Sequence, residues 1–118
     1  MKKLLSWLRS LGLVWRPWAI AGYVGAADEI PDQLPDKGII LVGAGDSLRW
    51  AALDCPCRKG HRLMVNLDRS RLPVWTIDSV NPLTLRPSID DTTQARQCHF
   101  LIRRGRIRWV YSDRRINS

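Results

Sequence analysis

Short apolar runs separated by polar turns dominate the chain from residue 38 onward and predict a mainly β protein. Runs of this length, bounded by Gly, Pro, Asp and Ser, are typical of strands rather than of helices. Apolar and polar positions alternate most clearly in Arg62-Leu63-Met64-Val65-Asn66-Leu67, as in a half-buried strand. The predicted strands are residues 38–43, 48–53, 62–67 and 74–77, with a shorter fifth at 83–85.

The last patterned part of the chain predicts a hairpin. Apolar-rich residues 98–102 and 107–111 flank Arg103-Arg104-Gly105-Arg106, and Gly105 supplies the positive φ that a tight turn needs. Residues 88–96 are mostly polar and are interpreted as a loop. Ser88 is considered as a catalytic serine, but no neighbour in the sequence activates it. We therefore interpret Pro87-Ser88 as a turn leading away from the sheet.

The N-terminal part of the chain has helical periodicity. Leu4, Leu8, Leu11 and Trp15 repeat at spacings of four, three and four, which predicts the apolar stripe of a short helix over residues 2–15. Such a helix suits either a membrane or partner surface, or docking on its own domain. No run of apolar residues is long enough for a transmembrane helix.

The predicted fold class is therefore mainly β, as a small α+β fold with a short N-terminal helix. An antiparallel sheet, stapled by zinc, ends in the C-terminal hairpin. Residues 1–24 form the predicted helix or arm, and residues 25–118 form the zinc-stapled β domain. Because the chain has 118 residues, one globular domain accounts for its length.

Charge adds an expectation about partners. Nineteen Lys and Arg residues stand against eleven Asp and Glu residues, for a net charge of +8. Such a surface favours polyanions, anionic lipid or acidic proteins.

The apolar N-terminal run resembles a signal peptide, but Arg9 and Arg16 interrupt it. We therefore predict a cytoplasmic protein with a protein partner.

Cysteine and histidine residues provide the strongest chemical signal. All three cysteines and both histidines lie within residues 55–61 and 98–99. Zinc in structural sites takes four Cys or His ligands, so Cys55, Cys57 and Cys98 are predicted as three of them. The fourth is left open between His61 and His99, because neighbouring side chains on a strand point to opposite faces. Core cysteines and a redox-active C-x-C pair are the alternatives.

The chain resembles the DUF6527 family of small, uncharacterised bacterial and phage proteins, which are suspected of binding metal. The blocks that carry the resemblance are Cys55-Pro56-Cys57, Gly60-His61, residues 63–67, Pro73-Val74-Trp75, residues 83–89 and the hairpin from Cys98-His99-Phe100 to Trp109. The family often has a third knuckle cysteine, where this chain has Lys59. The resemblance implies His99 as the preferred fourth ligand, with His61 as the alternative. It also implies an accessory role beside bacterial ubiquitin-like conjugation or antiphage systems.

These observations predict a zinc-binding, non-catalytic adaptor module rather than an enzyme. A zinc ion with four protein ligands has no open position for water. The H-x-E and P-C-x-x-C motifs of zinc deaminases are absent, as is the H-E-x-x-H motif of metalloproteases. A Cys98–His61 nucleophile is the catalytic alternative that we considered.

A nucleic-acid-binding module is the alternative function. Its candidate contacts are Arg103, Arg104, Arg106 and Arg108, which would neutralise phosphates beside aromatic residues. Strand alternation places Trp109 on the same face as Ile107, which favours a core position over base stacking.

Overall fold

The computed structural model describes residues 16–91 and 98–110. Within these ranges the chain forms eight strands and a single 3-10 turn. Their bounds are β1 Ala19–Val24, the 3-10 turn Ala27–Glu29, β2 Gly38–Ala44, β3 Ser47–Asp54, β4 Arg62–Asn66, β5 Thr76–Val80, β6 Leu83–Asp91, β7 Cys98–Arg103 and β8 Arg106–Trp109. The helix predicted over residues 2–15 lies outside the described residues.

The strands form two four-stranded sheets. The order in the first is β1-β2-β3-β4, and in the second β5-β6-β7-β8. The β1–β2 pair is parallel, and every other pair is antiparallel. The mainly β class is therefore right, but the predicted α+β fold is wrong, because the described residues contain no α-helix and only the 3-10 turn. The single antiparallel sheet is likewise replaced by two sheets, one of them mixed.

The unexpected strand is β1, which lies within the segment 1–24 predicted as a helix or arm. Strand β2 explains its position, since Gly38 to Val42 are buried without alternation. A strand buried on both faces needs hydrogen-bonding neighbours on both edges. Strand β3 covers one edge and β1 covers the other. The β1 sequence AIAGYV suits this role, because its alternate side chains remain partly exposed.

Both sheets contribute to one buried core. Ile39, Leu41 and Leu53 come from the first sheet, and Phe100 and Ile102 from the second. Phe100 and Leu53 have no exposed surface. Burial alternates along β7, where Cys98, Phe100 and Ile102 are buried and the residues between them are only partly covered. One face of β7 therefore packs on the core, and the other faces outward.

The register of β6 against β7 places the Asp91–Cys98 pair and the Asp90–His99 pair on opposite faces of the sheet. Asp91 pairs with Cys98, and Asp90 pairs with His99. Asp91 and Cys98 are buried, at 9% and 5% exposure, whereas Asp90 is exposed. Neighbouring positions on these two strands therefore supply an inward site and an outward site.

The C-terminal hairpin is present as β7 and β8. Arg104 and Gly105 form its turn, with φ of 53° and 77°. Gly105 is also tightly surrounded, because a Cβ at this position would lie 2.7 Å from Pro17 Cβ. Its N–H donates to Leu83 O at 2.7 Å, which joins the turn to the start of β6.

Candidate metal centre and serine–histidine pair

The turn between β3 and β4 folds back sharply and presents three sulfur or nitrogen atoms together. The Cys55 N–H donates to His61 O at 3.0 Å, and the Arg58 N–H donates to Cys55 O at 3.1 Å. Arg58 and Gly60 have φ of 62° and 85°, and this left-handed backbone allows the reversal. Cys55, Cys57 and His61 consequently share one small volume.

Cys98 completes this cluster from the second sheet. The ligand atoms of Cys55, Cys57, His61 and Cys98 all lie within 4.8 Å of one another. His61 Nε2 is 2.9 Å from Cys57 Sγ and 3.8 Å from Cys98 Sγ. Ligands at zinc–sulfur distances of about 2.3 Å in a tetrahedron lie roughly 3.8 Å apart. The four residues are therefore close enough together to hold one metal ion.

A carboxylate stands behind the histidine of the cluster. His61 Nδ1 and Asp91 Oδ2 are 3.0 Å apart, and both side chains are about nine-tenths buried. The two atoms lie at hydrogen-bond separation, although without the alignment of a good hydrogen bond. Histidines that bind a metal usually direct their other ring nitrogen to such a carboxylate, which fixes the ring orientation. Asp91 is thus placed to keep His61 Nε2 directed at the three sulfur atoms.

The environment of the thiols depends on their burial and on one another. Burial raises the pKa of Cys55 to about 12, and burial also raises the pKa of Cys98. Burial acts in the same direction on Cys57, but the Lys59 backbone N–H and contacts with Cys55 and His61 lower its pKa overall. Three adjacent thiolates repel one another, and a bound cation relieves that repulsion. The donor set is therefore chemically suited to zinc.

His99, which we preferred as the fourth ligand, lies in a different place. It follows Cys98 on β7, so its side chain leaves the opposite face of the sheet. Its Nε2 lies 2.7 Å from Ser88 Oγ. His61, the alternative histidine, is the one in the Cys3His cluster.

The contact between Ser88 and His99 is a serine–histidine pair. A serine hydroxyl bonded to an imidazole has the arrangement of a nucleophile with its general base. Trp75 donates its indole N–H to Ser88 O at 3.2 Å, and the Val110 N–H donates to His99 O at 2.8 Å. Both members of the pair are therefore anchored through their backbones on neighbouring strands.

The sequence interpretation missed this pair because it ended the strand at Pro87. Strand β6 continues to Asp91, and its register against β7 shifts between Leu85 and Ile89. This irregularity accommodates Pro87 within the strand, as bulges do for prolines elsewhere. Ser88 and His99 are 11 residues apart, and only the β6–β7 pairing brings them together.

The four arginines proposed for nucleic-acid binding are all exposed on the hairpin. Arg103 pairs with Arg106, and Leu101 pairs with Arg108. The Trp109 ring packs edge-on against Phe100, with ring centroids 5.6 Å apart. The aromatic ring that would stack on bases is therefore partly engaged with the core.

A cavity of about 850 Å³ lies on the other side of the hairpin. Trp18, Cys55, Arg62 and Trp109 are among the residues that line it, and neither Ser88 nor His99 does. The serine–histidine pair thus lies on an outer sheet face rather than in this cavity. No helix within residues 16–91 and 98–110 has the length and apolar character to cross a membrane.

Comparison with known proteins provides a family match. Residues 26–110 match the family described as "Bacterial ubiquitination-like system serine protease (BubE)". The chain is also 39% identical over 66 residues to a protein of Claviceps purpurea (strain 20.1) named "FAD-dependent monooxygenase". That match covers 52% of this chain but only 13% of the relative. No solved structure matches the chain.

The family match changes two of the expectations. The prediction that the protein is not an enzyme is wrong, since the matching family is described as a serine protease. The DUF6527 resemblance stays a prediction, but the expected link to a bacterial ubiquitin-like system is confirmed. Sequence patterns give no sign of the serine–histidine pair, because Ser88 and His99 meet only through strand pairing.

Proposed function

The chain belongs to the BubE family of bacterial ubiquitination-like system serine proteases, and we propose that Ser88 is its nucleophile and His99 its general base. The observation that supports this assignment is the 2.7 Å separation of Ser88 Oγ and His99 Nε2. It lies within the range expected for a serine activated by a neighbouring base. The match spans both residues.

The proposed reaction is cleavage of a peptide bond by acyl transfer. Ser88 Oγ attacks the carbonyl carbon while its proton passes to His99 Nε2. The carbon–nitrogen bond then breaks as His99 returns that proton to the leaving amine. Water attacks the resulting Ser88 ester, and His99 accepts a proton from this water and returns it to Ser88 Oγ. The products are the acid and amine halves of the substrate.

The proposed metal is a structural zinc ion held by Cys55, Cys57, His61 and Cys98. Four protein ligands leave no open position on a tetrahedral ion, so its contribution is to hold the fold rather than to activate water. It would join the β3–β4 turn of the first sheet to β7 of the second. Because Cys98 immediately precedes His99, the same attachment also steadies the strand that carries the general base.

The proposed substrate is a protein of the bacterial ubiquitination-like system, encountered in the cytoplasm. The serine–histidine pair lies on an outer sheet face and not in the cavity beside Cys55. An open face suits a macromolecular substrate better than a small molecule, since pockets for small ligands are concave. A reducing compartment also preserves the thiols that zinc requires.

A fluorophosphonate probe tests the proposed nucleophile without knowledge of the substrate. Such probes form a covalent adduct with activated serines, so the wild-type protein should be labelled and the Ser88→Ala variant should not. His99→Ala should lower the rate of labelling, because Ser88 Oγ then lacks its base. Ser79→Ala is a matched control from the same sheet, since Ser79 Oγ donates to Pro82 O and not to a histidine. Equal labelling of wild type and Ser88→Ala would refute the assignment.

A further inference from the structure

The outer face of strands β6, β7 and β8 extends well beyond Ser88 and His99. Alternation along β7 places His99, Leu101 and Arg103 on this face, because Cys98, Phe100 and Ile102 are buried on the other. On β8, Arg108 lies opposite Leu101. We call this surface, marked by Ser88, His99, Leu101, Arg103, Arg108 and Val110, the dyad face.

Two arginines of the dyad face, Arg103 and Arg108, form no ion pair within residues 16–91 and 98–110. Both residues are exposed. Arg86 differs, because its guanidinium is paired with the Asp78 carboxylate. Asp90 is the acidic residue of this region and already takes part in another interaction. Unpaired guanidinium groups near a nucleophile favour an approaching carboxylate.

The apolar content of the dyad face indicates a protein segment rather than a nucleic acid. Leu101 lies between His99 and Arg103 on β7, and Val110 lies beside His99 at the end of β8; both side chains are half-buried. Trp109 is directed to Phe100 on the opposite face, so no aromatic ring among the described residues of β7 and β8 is presented for base stacking on the dyad face. Arginine beside aliphatic side chains matches a peptide that carries both acidic and apolar residues.

Strand geometry places the arginines at a defined distance from the reacting bond. Residues on one face of a strand repeat about every 7 Å, so Arg108 and its partner Leu101 are one such step from His99. Arg103 is two steps, or about 13 Å, from His99 along β7. An extended peptide advances by about 3.3 Å per residue. Carboxylates about two to four residues from the cleaved bond would therefore reach these guanidinium groups.

We propose that the dyad face binds an acidic segment of the protein substrate, with Arg103 and Arg108 recognising carboxylates close to the cleaved bond. The role of this contact in cleavage depends on the proposed protease activity. The binding itself does not depend on it and is measured separately.

Fluorescence anisotropy on the Ser88→Ala protein measures that binding without turnover. The probes are a short fluorescein-labelled peptide of alternating Glu and Leu, its Lys and Leu counterpart, and a labelled DNA duplex. The test variant is Arg103→Gln with Arg108→Gln. The control variant is Arg49→Gln with Arg69→Gln, two exposed arginines of the first sheet and the following loop. Both variants remove the same charge, so a difference between them reports position.

The acidic peptide should bind, and the Arg103/Arg108 variant should weaken it about fivefold, as expected for two exposed ion pairs. The control variant should change the affinity much less, and high salt should weaken binding. Equal losses in both variants, absence of binding, or tighter binding of the duplex through the same two arginines would overturn the proposal. Fluorophosphonate labelling of wild-type Ser88 decides the protease proposal independently of these results.

Discussion

Metal removal should loosen the strand that carries His99 and thereby lower the reactivity of Ser88. Two perturbations remove the metal: a chelator acts on the unchanged protein, and Cys98→Ser replaces one of the proposed ligands. Cys98 is 5% exposed, and Cys55 is 4% exposed, so the proposed ion would be enclosed where the two sheets meet. Its loss would leave buried thiols without their cation and release β7 from the β3–β4 turn.

The size of the effect follows from the linkage between binding and folding. Consider an ion that binds only the folded state. When its free concentration is a thousand times its Kd, it adds about 4 kcal/mol to the free energy of unfolding. For a chain of 118 residues each kcal/mol corresponds to roughly 4 °C in Tm. Chelation should therefore lower Tm by about 15 °C. Displacement of His99 by about 1 Å should lower the labelling rate of Ser88 about a hundredfold.

The assay combines three measurements on one preparation. Elemental analysis gives the zinc content, scanning calorimetry gives Tm, and fluorophosphonate labelling gives the reactivity of Ser88. Ser88→Ala is the matched control, because it should lose labelling while keeping zinc and Tm. An unchanged Tm and labelling rate after complete metal removal would refute the reasoning that a metal ion supports the strand that carries His99.

The two histidines should separate metal binding from reactivity. His61→Ala should lose zinc, whereas His99→Ala should keep zinc and label more slowly. Zinc retained in His61→Ala and lost in His99→Ala would refute the Cys3His assignment. Phe100→Ala removes a side chain with no exposed surface and should cost about 3–5 kcal/mol in urea unfolding, against less than about 0.5 kcal/mol for Val80→Ala at 57% exposure. Gly43→Ala should be strongly destabilising, because a Cβ at φ +152° would lie 2.3 Å from Ser47 O, whereas Gly45 has φ +58° and open space. Gly45→Ala should therefore cost only about 1 kcal/mol, and similar Tm values for the two variants would contradict this account of the β2–β3 turn.

Local patterns are sufficient to predict the strands around the candidate metal centre. The predicted runs 38–43, 48–53 and 62–67 correspond to β2, β3 and β4, because each combines apolar residues with a clear turn on either side. The hairpin is equally predictable, since Gly105 marks its turn. These elements bring Cys55, Cys57 and Cys98 into one cluster, which is the grouping that the cysteine pattern predicts.

The parts of the fold that local patterns do not predict depend on contacts between residues distant in sequence. Strand β1 has weak strand character of its own, and its place follows from the buried edge of β2. Strand β6 runs through Pro87, which by local rules ends a strand. Local rules therefore place Ser88 in a turn, and the family resemblance assigns His99 to the metal. Only the β6–β7 register brings Ser88 and His99 together.

The most direct test of the central assignment is to locate the adduct after fluorophosphonate labelling. Tandem mass spectrometry of the digested wild-type protein should place the phosphonate on Ser88, with none on Ser79. An adduct confined to another serine would contradict the account, as would a labelling rate unaffected by His99→Ala.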